Sequence, residues 1–241
     1  MGRVKIARKS TFIDMTAMSD VTVLLLTFFM LTSTFLSKEP ATVVTPPSVS
    51  QEKVQETNYV QVLVNPEGKV WLTMHNDTSQ DYSNEKMKAA LLDKVAEEYN
   101  RTHTKKIQFT ALQKQAFSKL GSFGVPLSQM GEFLDLAQLP EGQTAMDKWL
   151  MGEDNNPNHR TGIPINWNSN EDTPNEFQLW MKAMRQTDNQ NLADKIKDGT
   201  GVAIKADQNT AFEKIHMVMD NLQTIHMNKF TLLTALKAEG E

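Results

Sequence analysis

Residues 15–36, MTAMSDVTVLLLTFFMLTSTFL, constrain this chain more than any other stretch. They form one apolar run with a single carboxylate, Asp20, near its start. From Val21 to Ser37 there is no charge, proline or glycine. Counted from Ala17, the run reaches about 20 residues, enough for one helical pass through roughly 30 Å of hydrocarbon. A carboxylate at membrane depth costs about 2.5–3.5 kcal/mol on insertion scales, so such groups are rare and usually functional. As a helix, the run places Asp20, Thr27 and Thr34 seven apart on one polar stripe, with Thr16 one turn earlier. Val21, Leu24, Leu25, Phe28, Phe29 and Leu36 fill the other faces.

Three plainer readings compete with a functional span. Arg3, Lys5, Arg8 and Lys9 followed by VLLLTFFML match the first two parts of a secretion signal, but Phe35 and Leu36 stand where a cleavage site needs small residues. Alternatively, the run is an uncleaved anchor whose Asp20 sits at headgroup level. A helix buried in a soluble core is opposed by the length and by the basic flank. Four basic residues before the run predict a cytoplasmic N-terminus at residues 1–14 and export of everything after Ser37.

Within 241 residues this leaves about 200 outside the span, one sizeable domain. Mean hydropathy is −0.44 despite the apolar run, so the exported part is strongly polar. The net charge is −4; setting aside the four basic and two acidic residues of the first 37 leaves −6. Nothing in that balance points to nucleic acid. There are no cysteines, which removes disulfide and thiolate–metal chemistry.

Residues 38–57 hold Pro40, Pro46 and Pro47 among Thr and Ser, and are expected to form an extended flexible linker reaching roughly 60 Å. From 58 to 241 the pattern is that of an exported α/β sheet domain. Residues 58–73 read as a hairpin turning at Asn65-Pro66-Glu67-Gly68. Met87, Leu91, Leu92, Val95 and Tyr99 mark a helix over 84–100. Between 101 and 175 the pattern is weak: helix-like spacing at 107–117, a short helix at 127–139, and a loop at NNPNHRTGIP. A helix follows at 175–186. The end is clearer, with a strand at 201–206, a turn at Asp207, an amphipathic helix at 212–226 carrying Phe212, Ile215, Val218, Met219, Leu222 and Ile225, and a strand at 229–236. Strand–helix–strand implies a crossover and parallel pairing.

Two segments carry a family resemblance. Phe12-Ile13-Asp14-Met15-Thr16-Ala17-Met18-Ser19-Asp20-Val21, running into LLLTFFML, is similar to the membrane signature of the ExbD/TolR family, with Asp20 in the place of its aspartate. Val202 to Asp207, Met217 to Leu222 and Lys229 to Thr234 resemble that family's closing strand, helix and strand. The resemblance implies an α+β fold: a single transmembrane helix at 15–37, a linker at 38–57 and a periplasmic domain at 58–241 with an insertion at about 101–175. It further implies an inner-membrane, single-pass protein that transduces proton-motive force to TonB-dependent outer-membrane transport. The implied partners are an ExbB-like multi-span ring, a second copy of itself, a TonB-like protein and membrane lipid. A TolR-like role in envelope integrity, or a periplasmic adaptor without proton traffic, are the alternatives. The family's post-membrane motif falls near residues 41–46, where Thr45 replaces its Leu.

In the implied mechanism Asp20 carries the proton, because a low-dielectric pore favours the neutral form of a carboxylate and each change of charge alters which contacts are favourable. Thr16, Thr27 and Thr34 either line the helix interface or bond back to their own helix carbonyls. Asp14 is read as a charge at the cytoplasmic mouth. No nucleophile-elbow, metalloprotease or nucleotide-loop pattern occurs, and no enzyme activity, cofactor or metal is expected. His75, His103, His159, His216 and His226 are scattered and read as surface or capping residues, and Asp207 as a turn residue.

Overall fold

The computed structural model describes residues 15–32, 39–41, 43–48, 57–76, 81–167 and 173–236. The chain divides into two compact units, Met1–Ser37 and Lys38–Glu241.

The first unit holds helix α1, Met15–Thr32. Its side chains from Met18 to Phe29 are all exposed, with Val21, Leu24, Leu26 and Phe29 each above half their free surface. At 1.5 Å per residue its 18 residues are about 27 Å long. Among the described residues, no helix is long and apolar enough to cross a membrane. The expected span ran to Ser37, and residues 33–37 lie outside the described ones, as do Asp14 and the tail at 1–14.

The second unit is built on a five-stranded mixed sheet, an α+β arrangement as expected. Strand β1 (Pro47–Ser48) lies apart from it. In chain order the sheet uses β2 (Tyr59–Val64), β3 (Val70–His75), β4 (Ser122–Phe123), β5 (Val202–Ala206) and β6 (Thr231–Leu233), arranged β4-β3-β2-β5-β6. The β2–β3 hairpin is antiparallel, with Val62 opposite Leu72. Its turn closes through Gly68 N–H to Asn65 O at 2.9 Å and Lys69 N–H to Asn65 Oδ1 at 2.8 Å. Gly68 has φ +82°, a conformation that favours glycine. Strands β2, β5 and β6 run parallel, with Val62 opposite Ile204 and Ile204 opposite Leu232. Alternation places Val60, Val62, Val64, Leu72, Val202 and Ile204 on one face, all fully buried.

Helix α2 (Asp81–Thr102) and helix α8 (Phe212–Thr224) are the helices expected beside this sheet. Val218, Leu222 and the following Ile225 are buried, but Phe212, expected in the core, is 71% exposed. It opens the first turn of α8, before the buried stripe begins.

Between α2 and β5 lie α3 (Ala111–Lys119), α4 (Leu127–Asp135), α5 (Gly142–Met151), α6 (Glu176–Arg185) and α7 (Gln190–Asp198). They share the core of the sheet. Phe117, Phe123 and Trp180 form one ring cluster, with Phe123 and Trp180 centroids 4.6 Å apart, and Trp149 meets Phe133 edge-on. Gly124 lies where Trp71 comes closest: a Cβ there would sit 2.1 Å from Trp71 Cδ1.

Buried amides join this region to α8. Asn175 Nδ2 donates to Asn221 Oδ1 at 2.6 Å, and Gln178 Nε2 to Asn221 O at 3.2 Å. Asn221 Nδ2 donates to Asn166 O and Met217 O. Gln178 and Asn221 are almost wholly buried, so each bond lost leaves a desolvated partner. Asn221→Ala is therefore expected to cost about 2–3 kcal/mol, read as a lower urea midpoint with unchanged slope. A midpoint shift within error would mean that apolar packing alone holds α6 to α8.

Candidate functional site

Between Met18 and Phe29, helix α1 exposes Met18, Val21, Val23, Leu24, Leu25, Leu26, Phe28 and Phe29, an apolar surface larger than single scattered exposed residues account for. Asp20 sits on this helix, with Thr16 and Ala17 one turn before it and Val23 and Leu24 one turn after. No basic side chain of the helix can pair with it. Thr27 shares its stripe, and its hydroxyl donates to Val23 O at 3.0 Å and Leu24 O at 2.9 Å. Thr22 likewise donates to Met18 O. A hydroxyl surrounded by apolar side chains can satisfy itself on its own backbone in this way. Thr16 lies within α1, but its side chain, like the whole of Thr34, lies outside the described residues.

The expected linker holds the second feature. Residues 39–41 and 43–48 run along the domain instead of standing free of it. Val44 N–H donates to Asp207 Oδ2 at 2.9 Å, and Gln208 N–H to Val44 O at 2.8 Å. Lys205 Nζ lies 2.6 Å from Glu39 Oε2. Ala41 and Val43 pack against the core. Strand β1 then pairs in parallel with β7 (Ala235–Leu236). Extended, proline-punctuated backbone has free donors and acceptors, and this segment finds partners for them on the sheet. Asp207 also accepts from Asn209 N–H at 2.8 Å, the turn role expected of it. The two backbone donors, Asn209 first and then Val44, hold its carboxyl below the usual aspartate range.

The histidines are more engaged than their spacing suggested. His159 stacks flat on Trp149, and its two ring nitrogens face Asp154 and Glu132. His75 stacks on Tyr59 and meets Gln61, and burial pulls it below the usual histidine range. His216 lies between the rings of Trp167 and Phe212. His103 stacks on Tyr99. Sequence spacing could not find these pairings, because His159, His75 and His216 meet partners from other turns or elements. Among the described residues, no group of three or more His, Asp or Glu is arranged to hold a metal ion.

Residues 7–120 match the family described as Biopolymer transport protein ExbD/TolR. The match spans 114 of the 241 residues and is consistent with an ExbD/TolR-family member. The match takes in α1 with Asp20, the docked segment, the β2–β3 hairpin, α2 and α3, and it stops inside the inserted helical region. Members of this family work with multi-span ExbB- or TolQ-like subunits and form dimers. No curated protein and no solved structure matched the chain.

A carboxyl held below the ordinary range stabilises docking above that range and loses its effect only as pH falls through the lowered value. Hydrogen exchange at the Val44 amide should therefore stay protected through neutral and mildly acidic pH and become fast only in strong acid. Asp207→Ala should remove that protection at neutral pH. Slow exchange at Val44 in that variant would show that β1 pairing and apolar contacts hold the segment without Asp207.

Proposed function

We propose that this protein is the proton-motive-force-transducing subunit of an ExbB–ExbD type motor in the inner membrane, energising TonB-dependent outer-membrane transport. The observation that carries the reading is a lone carboxylate on a largely apolar helix whose side chains from Met18 to Phe29 are exposed, inside the segment that matches the family model. In this reading residues 15–37 cross the membrane once, with the N-terminus cytoplasmic and the sheet domain in the periplasm. A ring of ExbB-like subunits surrounds a pair of these helices, and lipid meets the ring.

Asp20 takes a proton from one side and releases it to the other. Neutral, it is tolerated among apolar neighbours; charged, it demands hydroxyls or water from the ring. Each transfer changes which ring contacts are favourable and turns or rocks the helix pair. The membrane potential supplies about 2.3 kcal/mol per charge per 100 mV. The domain passes the movement to a TonB-like partner and carries out no bond chemistry of its own. A TolR-like role in envelope integrity uses the same proton step and differs in the partner.

Asp20→Asn keeps the shape of the side chain and abolishes its titration. Transport through TonB-dependent receptors should drop to the level of cells lacking the protein, with unchanged membrane abundance and unchanged crosslinking to the ring subunit. Asp20→Glu should retain part of the activity. Full transport by the Asn variant would end the proton reading and leave a tethered adaptor.

A further inference from the structure

The loop that follows α5, residues 152–163, returns the chain to the sheet. Gly162 N–H donates to Gly124 O at 2.7 Å and Ile163 N–H to Val70 O at 2.8 Å. One side chain of α4 grips its middle: Gln129 Nε2 donates to Asn158 O at 2.6 Å, and Gln129 Oε1 accepts from Arg160 N–H at 3.0 Å. His159 stands between those two backbone positions. Its ring lies flat on Trp149 with centroids 3.4 Å apart, and its side chain is only 13% exposed.

The hydrogen bonds around the ring define its protonation. Asn158 N–H donates to Asn156 Oδ1 at 3.1 Å, and a backbone amide only donates, so the Asn156 side chain has one orientation. Its Nδ2 therefore donates to His159 Nε2, 2.9 Å away. An accepting Nε2 leaves the hydrogen on Nδ1, where the Asp154 carboxylate receives it. This is the neutral ring, with its hydrogen bonds all inside the loop. Nε2 also lies 3.4 Å from Glu132 Oε1 on α4, and there a lone pair faces a carboxylate and binds nothing. A proton on Nε2 reverses both relations: it turns the Asn156 donor away and offers a hydrogen to Glu132. The Trp149 face favours the same cation. The charged groups facing the ring are Asp154 from the loop and Glu132 from α4, while α5 presents the Trp149 ring. Lys148 and Arg160, beside Trp149 and His159 in sequence, are exposed.

We propose that His159 is a proton-operated latch between this loop and α4: neutral, it bonds to Asp154 and Asn156 within the loop; protonated, it exchanges Asn156 for Glu132 and ties the loop to the helix. Carboxylates ordinarily titrate below about pH 5, so between pH 5 and 8 the ring is the group that changes. Because the proton makes the bridge, the latch strengthens as pH falls and is lost as pH rises. The loop meets the backbone of Gly124 and Val70 directly after this point, so acid stiffens the path from α4 to the sheet.

The test is a pH titration by magnetic resonance of the full-length protein in detergent, labelled with nitrogen-15 in histidine, with the His159 signals assigned by their loss in His159→Gln. The Nδ1–H ring at pH 8 should pass to the doubly protonated ring on the way to pH 5. Glu132→Gln should weaken proton binding about two- to fivefold, the scale of an exposed ion pair, with the melting temperature at pH 8 unchanged. Asn156→Asp keeps an acceptor for Asn158 N–H but sets a carboxylate against Nε2, and should strengthen proton binding. Hydrogen exchange at the Asn158 and Arg160 amides, corrected for the intrinsic rate, should be slower at pH 5.5 than at pH 8 in the wild type and alike at both in Glu132→Gln. A ring that keeps one protonation state over this range, a midpoint unmoved by Glu132→Gln and Asn156→Asp, or loop exchange indifferent to pH overturns the proposal.

Discussion

Everything in the second unit depends on β2 finding β5. One partner of β2 is a hairpin away; the other begins at Val202, 142 residues downstream of Val60 in sequence, yet the two lie side by side in register. Closing a long loop costs only slowly more entropy as it lengthens, so a large insertion is thermodynamically tolerable if its two ends return to the right place. Here they are returned by packing. Helix α6 lies against α2, α7 and α8, and the Asn175–Gln178–Asn221 amides tie it to α8. The insertion is therefore part of the core that sets the sheet, with Phe117, Phe123 and Trp180 packed as one cluster, and not an appendage on a loop.

The first unit follows the opposite logic. From Met18 to Phe29, helix α1 leaves its apolar side chains exposed on every side, and Asp20 has no cation within the helix. A surface of that kind is unfavourable in water and makes sense only when something else covers it. The hydroxyls of Thr22 and Thr27 are already satisfied by their own backbone, so Asp20 is the group on this helix whose needs change with protonation. Placing one such group on an otherwise indifferent surface gives a proton leverage over how helices pack, which is the basis of the motor reading.

Local patterning made the sheet and its flanking helices legible. The hairpin, the helix near 84–100 and the closing strand–helix–strand each repeat a simple period, and each was found within a few residues. The insertion was harder. Helix α5 begins at Gly142 and α7 is only nine residues long, with Leu192, Ala193 and Ile196 as its buried face; such short helices carry too few apolar positions to set a period. Phe212 misled for a related reason: hydrophobicity and spacing agreed, but burial is decided by what the rest of the chain brings nearby.

The docked segment was misread because extended structure and freedom are not the same property. Prolines and β-branched residues at 40–47 do keep the backbone extended, and extended backbone is what an open sheet surface can bind. Glu39 to Lys205 and Val44 to Asp207 and Gln208 then fix the segment at the C-terminal end of β5, and β1 to β7 fixes it at the end of the chain. Along the chain, those contacts to β5 come before the segment enters β2. Because β5 joins β2 to β6 and leads into α8, the docked segment is tied to the sheet one strand in from its β6 edge, beside the central strand β2.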